Sequence, residues 1–287
     1  MVEVTYYGVD TGLFEGGEDL VGRILENVDD PPRLEDGDVV VSSKVVSLAE
    51  ERHVDLESIS VSPRAERIAE RAGLDEKEAE LVLRESTVVG AIPVADLAAD
   101  HLMEQTTHEE GADQAIEDLP SLLVTVRNGR LCTNAGVDLS NSPEGMATLL
   151  PSDPNASARR IREALQERAD VDVAVILTDS EVSHRGGSVD IAIGCSGIKP
   201  IDRNFGASDL YDNPKLGGVD LIADEIAAGA VLLTGQAAER TPVVIVRGLE
   251  YDSGDGIEPD AEFLRDAIVP TLAQSIRVKL AERVPVF

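Results

Sequence analysis

Short apolar runs broken by glycine, aspartate and proline make up most of the chain, and their length and spacing separate strands from helices. The opening run "MVEVTYYGV" reads as a strand; the acidic, Gly-rich loop "DTGLFEGGEDL" follows, and its last residues begin an amphipathic helix through Ile24 and Leu25. In "LEDGDVVVSSKVVSLAEER" an Asp-Gly-Asp turn precedes a short apolar strand and leaves Ser42, Ser43 and Lys44 at its far end. Residues 62–84 have helical spacing, with Ser62 as cap and Pro63 in the first turn. Residues 91–119 are acidic and poor in strand formers, so they are expected to form an insertion or mobile flap without a catalytic role.

Further on, "SLLVTVRNGRLCTNAGVD" predicts a hairpin turning at Asn128-Gly129 and delivering "TNAGVDLSN" beyond its second strand. A Pro-capped loop then enters the helix of "LLPSDPNASARRIREALQERA", and "DVDVAVILTDSE" is a buried strand ending in Thr178, Asp179 and Ser180. The rest predicts a strand and Gly turn in "SVDIAIGCSGI", a helix rich in small residues in "VDLIADEIAAGAVLLTG", a strand in "TPVVIVRG" and a last helix over about 260–282. Strands and helices mix throughout, without repeats or low-complexity linkers. The class is mixed α and β.

Charge narrows the function classes. The 25 Lys and Arg against 55 Asp and Glu leave a formal charge of −30, which repels nucleic-acid backbones and anionic membranes. Five of the cations are lysines (Lys44, Lys77, Lys199, Lys215, Lys279), and the acids are scattered through nearly every helix, a halophilic pattern suited to dense salt. Two cysteines without a motif, no signal peptide and no apolar run of membrane-spanning length fit a reducing cytoplasm. The four histidines lack zinc spacing, and neither a P-loop, a dinucleotide fingerprint nor a G-x-S-x-G nucleophile motif occurs.

Two aspartates stand out. Asp138 and Asp179 are each expected where a strand meets a loop, among small and hydroxyl-bearing residues that leave space for a ligand. Magnesium or manganese favours carboxylates supplemented by carbonyls and water, and two such aspartates can hold one or two metals over a phosphate. Each also suits a plain turn or cap, bonding its own backbone.

A resemblance covers about residues 7–248. "GDVVVSSKVVSLAEER", "LRES", "NAGVDLSN", "LLPSDPNASARRIREAL", "VAVILTDS", "AIGCSGI" and "LLTGQAAERTPVVIVRG", in this order, resemble the F420-0:γ-glutamyl ligase family. That resemblance implies an α+β fold of mixed sheets and packed helices in a two-domain subunit. Its division is a ligase-like domain over 1–250, with the acidic insertion at about 91–119, and a helical segment over 251–287 packing on it. An intertwined homodimer is also implied.

The activity it implies is addition of L-glutamate to the deazaflavin coenzyme precursor F420-0. GTP activates a carboxylate as an acyl phosphate and the glutamate amine then forms the amide, with small-molecule partners only. The cofactors implied are divalent metal, magnesium or manganese and two ions in number, with potassium as a further cation. Asp138, Asp179, Ser180 and Gln236 match metal ligands. The nucleotide would meet Val9, Asp10, Thr11 and Gly12, the pair Ser43 and Lys44, Asn141, and Gly235, Ala237, Ala238, Glu239, Arg240 and Thr241. No covalent nucleophile is expected, and Arg185 is the candidate left for a catalytic role.

The chain departs from the family pattern twice. Leu48 stands where a second lysine would meet phosphate, and "DSEVSHRGGS" replaces the usual loop after Asp179. These changes keep two alternatives open: a paralogous amide ligase with another acceptor, and a nucleotide- or metal-binding protein without ligation.

Overall fold

The structure, a computed structural model, describes residues 3–28, 32–42, 44–95, 103, 106–118, 121–140, 142, 145–183, 187–204, 206–215, 219–236 and 239–258. The chain divides into two compact units, one of Met1–Ser58 with Gly136–Ile257 and one of Ile59–Ala135 with Glu258–Phe287. The helix expected over about 260–282 lies outside the described residues. No described helix is long and apolar enough to cross a membrane.

In the first unit a five-stranded sheet carries the core. Its strands are β1 (Thr5–Val9), β2 (Val39–Ser42), β8 (Ala174–Val182), β9 (Ser188–Ser196) and β12 (Val243–Arg247), arranged β1-β12-β2-β8-β9. The β2–β8 pair is parallel and the other three pairs are antiparallel. Both faces are covered. Val40, Val175, Leu177 and Ile245 pack with α1 (Leu20–Asn27), α2 (Val45–Ala49) and α6 (Pro154–Ala169), through residues such as Ile24, Val46 and Leu165. Val39, Val41, Ile176 and Val244 pack against Ala223, Ile226 and Ala230 of α7 (Ile222–Thr234) on the other side. Burial on both faces explains why "VVV" and "AVIL" are continuous apolar runs instead of alternating ones.

Caps fix the helices. Asp19 and Asp153 accept from Gly22 N and Ala156 N at 3.0 Å each, and Pro154 opens α6 where its missing N–H costs nothing. Two small pairs complete this unit, β3 (His53–Asp55) with β7 (Met146–Thr148) and β10 (Asp202–Arg203) with β11 (Val219–Asp220).

One ion pair ties three parts of this unit together. Asp38, 1% exposed, takes a two-point bond from Arg247, Nε to Oδ1 at 2.8 Å and Nη2 to Oδ2 at 2.7 Å. The same guanidinium reaches Glu35 at 2.9 Å and lies 5.6 Å from the centre of the Tyr7 ring, so it links β12, β1 and the Asp-Gly-Asp turn before β2.

The second unit holds a three-stranded antiparallel sheet, β4 (Thr87–Ile92), β5 (Leu122–Arg127) and β6 (Arg130–Thr133), with helices α3 (Pro63–Ala72), α4 (Glu76–Glu85) and α5 (Glu109–Asp118). The helical spacing of 62–84 is divided between two helices. Gly73 ends the first in the left-handed region at φ 71, and Asp75 caps the second by accepting from Lys77 N and Glu78 N at 2.8 and 3.0 Å. The acidic 91–119 stretch is not uniform either, since residues 91 and 92 close β4 and 109–118 form α5. The expected hairpin is present, with Asn128 and Gly129 both at positive φ as its two-residue turn requires.

Glu78 is a buried carboxyl in this unit. It accepts from Asn134 Nδ2 at 3.3 Å, while burial and the like charge of Asp75 push its pKa up to about 7.

Two outcomes follow for stability. Replacing Arg247 by alanine leaves Asp38 buried and unpaired, and urea unfolding should register a loss of about 3–5 kcal/mol, with a smaller loss when Asp38→Ala is added. Glu78 keeps its proton in the folded state at pH values where the unfolded chain, with its glutamate near the ordinary 4.5, has lost it. The stability it contributes is therefore full below about pH 4.5 and falls as pH rises toward 7. Urea midpoints taken across that window should decline less steeply in Glu78→Gln; an unchanged decline would refute the assignment.

Candidate active site

The sheet register brings the predicted residues to one edge. Val9, Val243, Ser42, Leu177 and Gly194 form a single row across the five strands. Strands β1, β2 and β8 run in the same direction and reach this edge with their C-terminal ends, while β12 begins there. Hence the Asp10–Gly12 loop, Lys44, the segment around Asp179 and the approach through Gly235 to Thr241 all emerge on one side. The end of adjacent parallel strands is where open α/β sheets place ligands.

Strand lengths open the edge further. β2 stops at Ser42 opposite Leu177, but β8 continues to Val182, paired only with β9. Beyond Leu177 the second backbone edge of β8 has no ladder partner among the described residues. Asp179 therefore lies within the strand, opposite Ile191, and not at a strand–loop junction as the sequence suggested. Of the altered "DSEVSHRGGS" stretch, residues 179–182 end β8 and Ser188 begins β9, with Ser183 N donating to Gly187 O at 2.7 Å; residues 184–186 lie outside the described residues.

Alternation along β8 divides its polar residues between two faces. Thr178 and Ser180 both donate to the buried Asp190 of β9, at 3.3 and 2.6 Å, and Gln236 Nε2 donates to the same Asp190 Oδ1 at 3.0 Å. Gln236 and Ser180 also bond each other, with Gln236 Nε2 to Ser180 Oγ at 2.8 Å. On the other face is Asp179, near the turn that carries Asp138: a Cβ placed on Gly136 would lie 3.0 Å from Asp179 Oδ2. That turn holds Asn134, Ala135 and Gly136 in succession at positive φ. Asp138 is then fixed by exchanging backbone bonds with Thr148, at 2.9 and 2.8 Å.

The electrostatics show a shortage of positive charge. Half-buried Asp179 has its pKa raised to about 8, chiefly by burial and then by Glu181, Asp138 and Asp190, against one lowering bond from the Ser180 backbone N–H. The ammonium of Lys44 offsets part of this charge, lying 2.7 Å from Asp138 Oδ2 and also donating to the Ser140 carbonyl. Among the described residues no group of three or more His, Cys, Asp or Glu is disposed to hold a metal. The oxygens fall in two sets, the Asp138 and Asp179 carboxylates on one face of β8 and the Ser180 hydroxyl and Gln236 amide around Asp190 on the other, each of the hard type that magnesium or manganese favours.

Two buried hydroxyls at this edge, Thr11 Oγ1 and Ser42 Oγ, have no hydrogen-bond partner among the described residues. Asp10 accepts from Gly12 N at 2.8 Å, shaping the first loop. Thr241 packs so closely on β1 that a Cβ on Gly8 would lie 2.7 Å from its methyl group. Glu239 folds over Gly235, and Arg240 is exposed at φ 57. Ser43, Asn141, Ala237, Ala238 and Arg185 lie outside the described residues. Leu48 sits in α2 and packs against the core that contains Phe14 and Val45.

Sequence reading missed Asp190, the carboxylate that gathers Thr178, Ser180 and Gln236. Its signal was a single acid inside the apolar run "SVDIAIG". The contact between Lys44 and Asp138, 94 positions apart, left no local trace.

Fold and site together define an α+β protein with acidic and hydroxyl-bearing side chains gathered where the parallel strands β2 and β8 part. The chain belongs to the F420-0:Gamma-glutamyl ligase family, whose model matches residues 8–248. It is 38% identical over 237 residues to a coenzyme F420:L-glutamate ligase of Methanopyrus kandleri, covering 82% of each chain. It is also 38% identical over 246 residues to one of Archaeoglobus fulgidus, covering 85% of this chain and 86% of that one. To one of Halorubrum lacusprofundi it is 35% identical over 259 residues, covering 88% and 92%.

Gly136 offers a test of this geometry. A methyl group there would meet Leu150 Cδ1 at 2.3 Å on backbone at φ 67. Gly136→Ala should cost about 1–3 kcal/mol in urea unfolding, and a neutral result would refute the close approach.

Proposed function

We propose that this protein is a ligase that joins L-glutamate to coenzyme F420-0, using GTP and a divalent cation. The observation that carries the reading is the meeting of Asp138, Asp179 and Lys44 at the open edge of β8. Family membership and the names of the relatives support the reaction class.

In this reading Asp138 and Asp179 hold the cation from one face of β8, while Ser180 and Gln236 reach the open edge from the other, oriented by Asp190. Bound there, magnesium or manganese neutralises phosphate oxygens as charge moves onto the departing diphosphate. Lys44 and the unpartnered hydroxyls of Thr11 and Ser42 lie where they can meet the nucleotide, and the 10–12 and 235–241 segments supply backbone amides. The protein contributes no nucleophile. It positions the acceptor carboxylate for transfer of the γ-phosphoryl group, and the acyl phosphate so formed is attacked by the glutamate amine. A homodimer is part of the proposal.

The packing of Leu48 into the core bears on the departures noted in the sequence. A leucine there completes the apolar contact between α2 and the Phe14 loop and need not face a phosphate.

The test is ligation in molar KCl with manganese, GTP, L-glutamate and F420-0, read by mass spectrometry. A product heavier by one or more glutamyl units is expected, with Asp138→Asn and Asp179→Asn reducing turnover by roughly 100-fold or more. Full activity in either variant would overturn the metal assignment; nucleotide binding without product would favour a paralogue with another acceptor.

A further inference from the structure

The position of Lys44 carries a consequence for how the site fills. Its backbone is fixed: the Lys44 carbonyl accepts from Ser47 N at 2.9 Å and Leu48 N at 3.3 Å at the start of α2, so only the side chain is free to travel. Its ammonium occupies Asp138 Oδ2 at 2.7 Å, and Ser140 N takes Oδ1 at 2.7 Å. Both oxygens of this carboxylate are therefore in use. A divalent cation that coordinates Asp138 through Oδ2 would stand beside the ammonium, and the repulsion between two cations at one oxygen favours displacement of the more mobile lysine.

Resting on the metal and nucleotide assignment above, we propose that Lys44 is an exchangeable internal counter-ion, holding Asp138 before the metal arrives and turning to the nucleotide phosphates once displaced. The residue type fits the task. In a chain with 25 Lys and Arg, of which only five are lysines, this position has an ammonium. A guanidinium would clamp the carboxylate at two points, whereas the Lys44 ammonium gives one bond to the carboxylate and its other to the neutral Ser140 carbonyl, so a cation has a single charged contact to replace. The side chains of Lys44 and Asp138 are 25% and 41% exposed, so the pair is open to exchange with solvent ions.

Displacement also has a direction. Lys44 lies two residues beyond the end of β2, at the edge where the buried hydroxyls of Thr11 and Ser42 have no partner among the described residues. An ammonium released from Asp138 stays tethered at that edge. Metal binding therefore raises affinity for an anionic ligand beyond what the metal's own charge provides, and the anion must by linkage raise affinity for the metal.

The test is Mn2+ titration by electron paramagnetic resonance of the full chain in molar KCl, with and without GDP. Lys44→Met should bind Mn2+ about fivefold more tightly than wild type without nucleotide, because the competing cation is gone. Lys44→Arg should bind it about fivefold more weakly. The tightening of GDP by Mn2+ should shrink severalfold in Lys44→Met, which a merely structural lysine would not produce. If Lys44→Met binds Mn2+ no more tightly than wild type while Asp138→Asn abolishes binding, the metal assignment stands and the exchange is overturned. If wild type binds no Mn2+, both fall. Should Lys44→Met fail to fold, Lys44→Arg decides: affinity equal to or above wild type overturns the exchange.

Discussion

The unequal lengths of two parallel neighbours set the character of the site. β2 has four residues and β8 nine, and their shared ladder ends at Ser42 and Leu177. Before that row β2 and β8 are walled by helices on both faces, and Val39, Val40, Val41, Ala174, Val175 and Ile176 are all apolar. Beyond it β8 continues as one arm of a hairpin, and the first residues past the row are Thr178, Asp179 and Ser180. No described strand pairs with the second edge of β8 there, and an edge without a ladder partner is costly to bury against helices. The transition from core to crevice is thus a matter of hydrogen-bond satisfaction, and polar side chains occupy the place where it happens.

The charge of the crevice and that of the whole protein are different problems. A formal charge of −30 is spread along the whole chain, and dissolved salt screens exposed charges over a distance that shortens as its concentration rises. Glu181, Asp138 and Asp190 lie close enough to half-buried Asp179 to raise its pKa, so this carboxyl relieves the crowding by keeping its proton to about pH 8. A fixed or bound cation relieves it in the other way, by favouring the ionised form. The fold supplies Lys44 on one side of β8 and ties Asp190 to three neutral donors on the other. A carboxylate held by hydroxyl and amide donors keeps those groups aligned, which is how an outer residue tunes ligands it does not replace.

Much of this was legible in the sequence where local chemistry decides structure. The apolar runs gave the sheet, Asn128-Gly129 gave the hairpin, and Asp153-Pro154 gave the start of α6, because turns and caps are set by a few adjacent residues. Helical spacing over 62–84 concealed the break at Gly73-Leu74-Asp75, although a C-terminal glycine followed by a capping aspartate is itself a local signal. The site was legible as a set of residues and not as an arrangement. Periodicity placed Asp179 in "ILTDS" but could not show that the partner strand stops two residues earlier, which put the aspartate inside a strand. Asp190 and the Lys44–Asp138 contact depend on strand register and on chain segments far apart, and no window of sequence contains both halves.

The turn before Asp138 shows why the amide- and glycine-rich motif takes the form it does. Asn134, Ala135 and Gly136 are all left-handed, a costly run for residues with a Cβ. Asn134 offsets part of the cost by accepting from Leu123 N at 2.7 Å and donating to Glu78, and Thr125 Oγ1 accepts from Ala135 N at 3.1 Å. Gly136 cannot be relieved in this way, because the space where its side chain would lie is taken by Leu150 and Asp179. Asparagine supplies the anchoring bonds, alanine is small enough to be fully buried, and glycine permits the close approach. The carboxylate two residues on is then held by backbone bonds to Thr148, leaving its side chain to accept from the Lys44 ammonium and from Ser140 N.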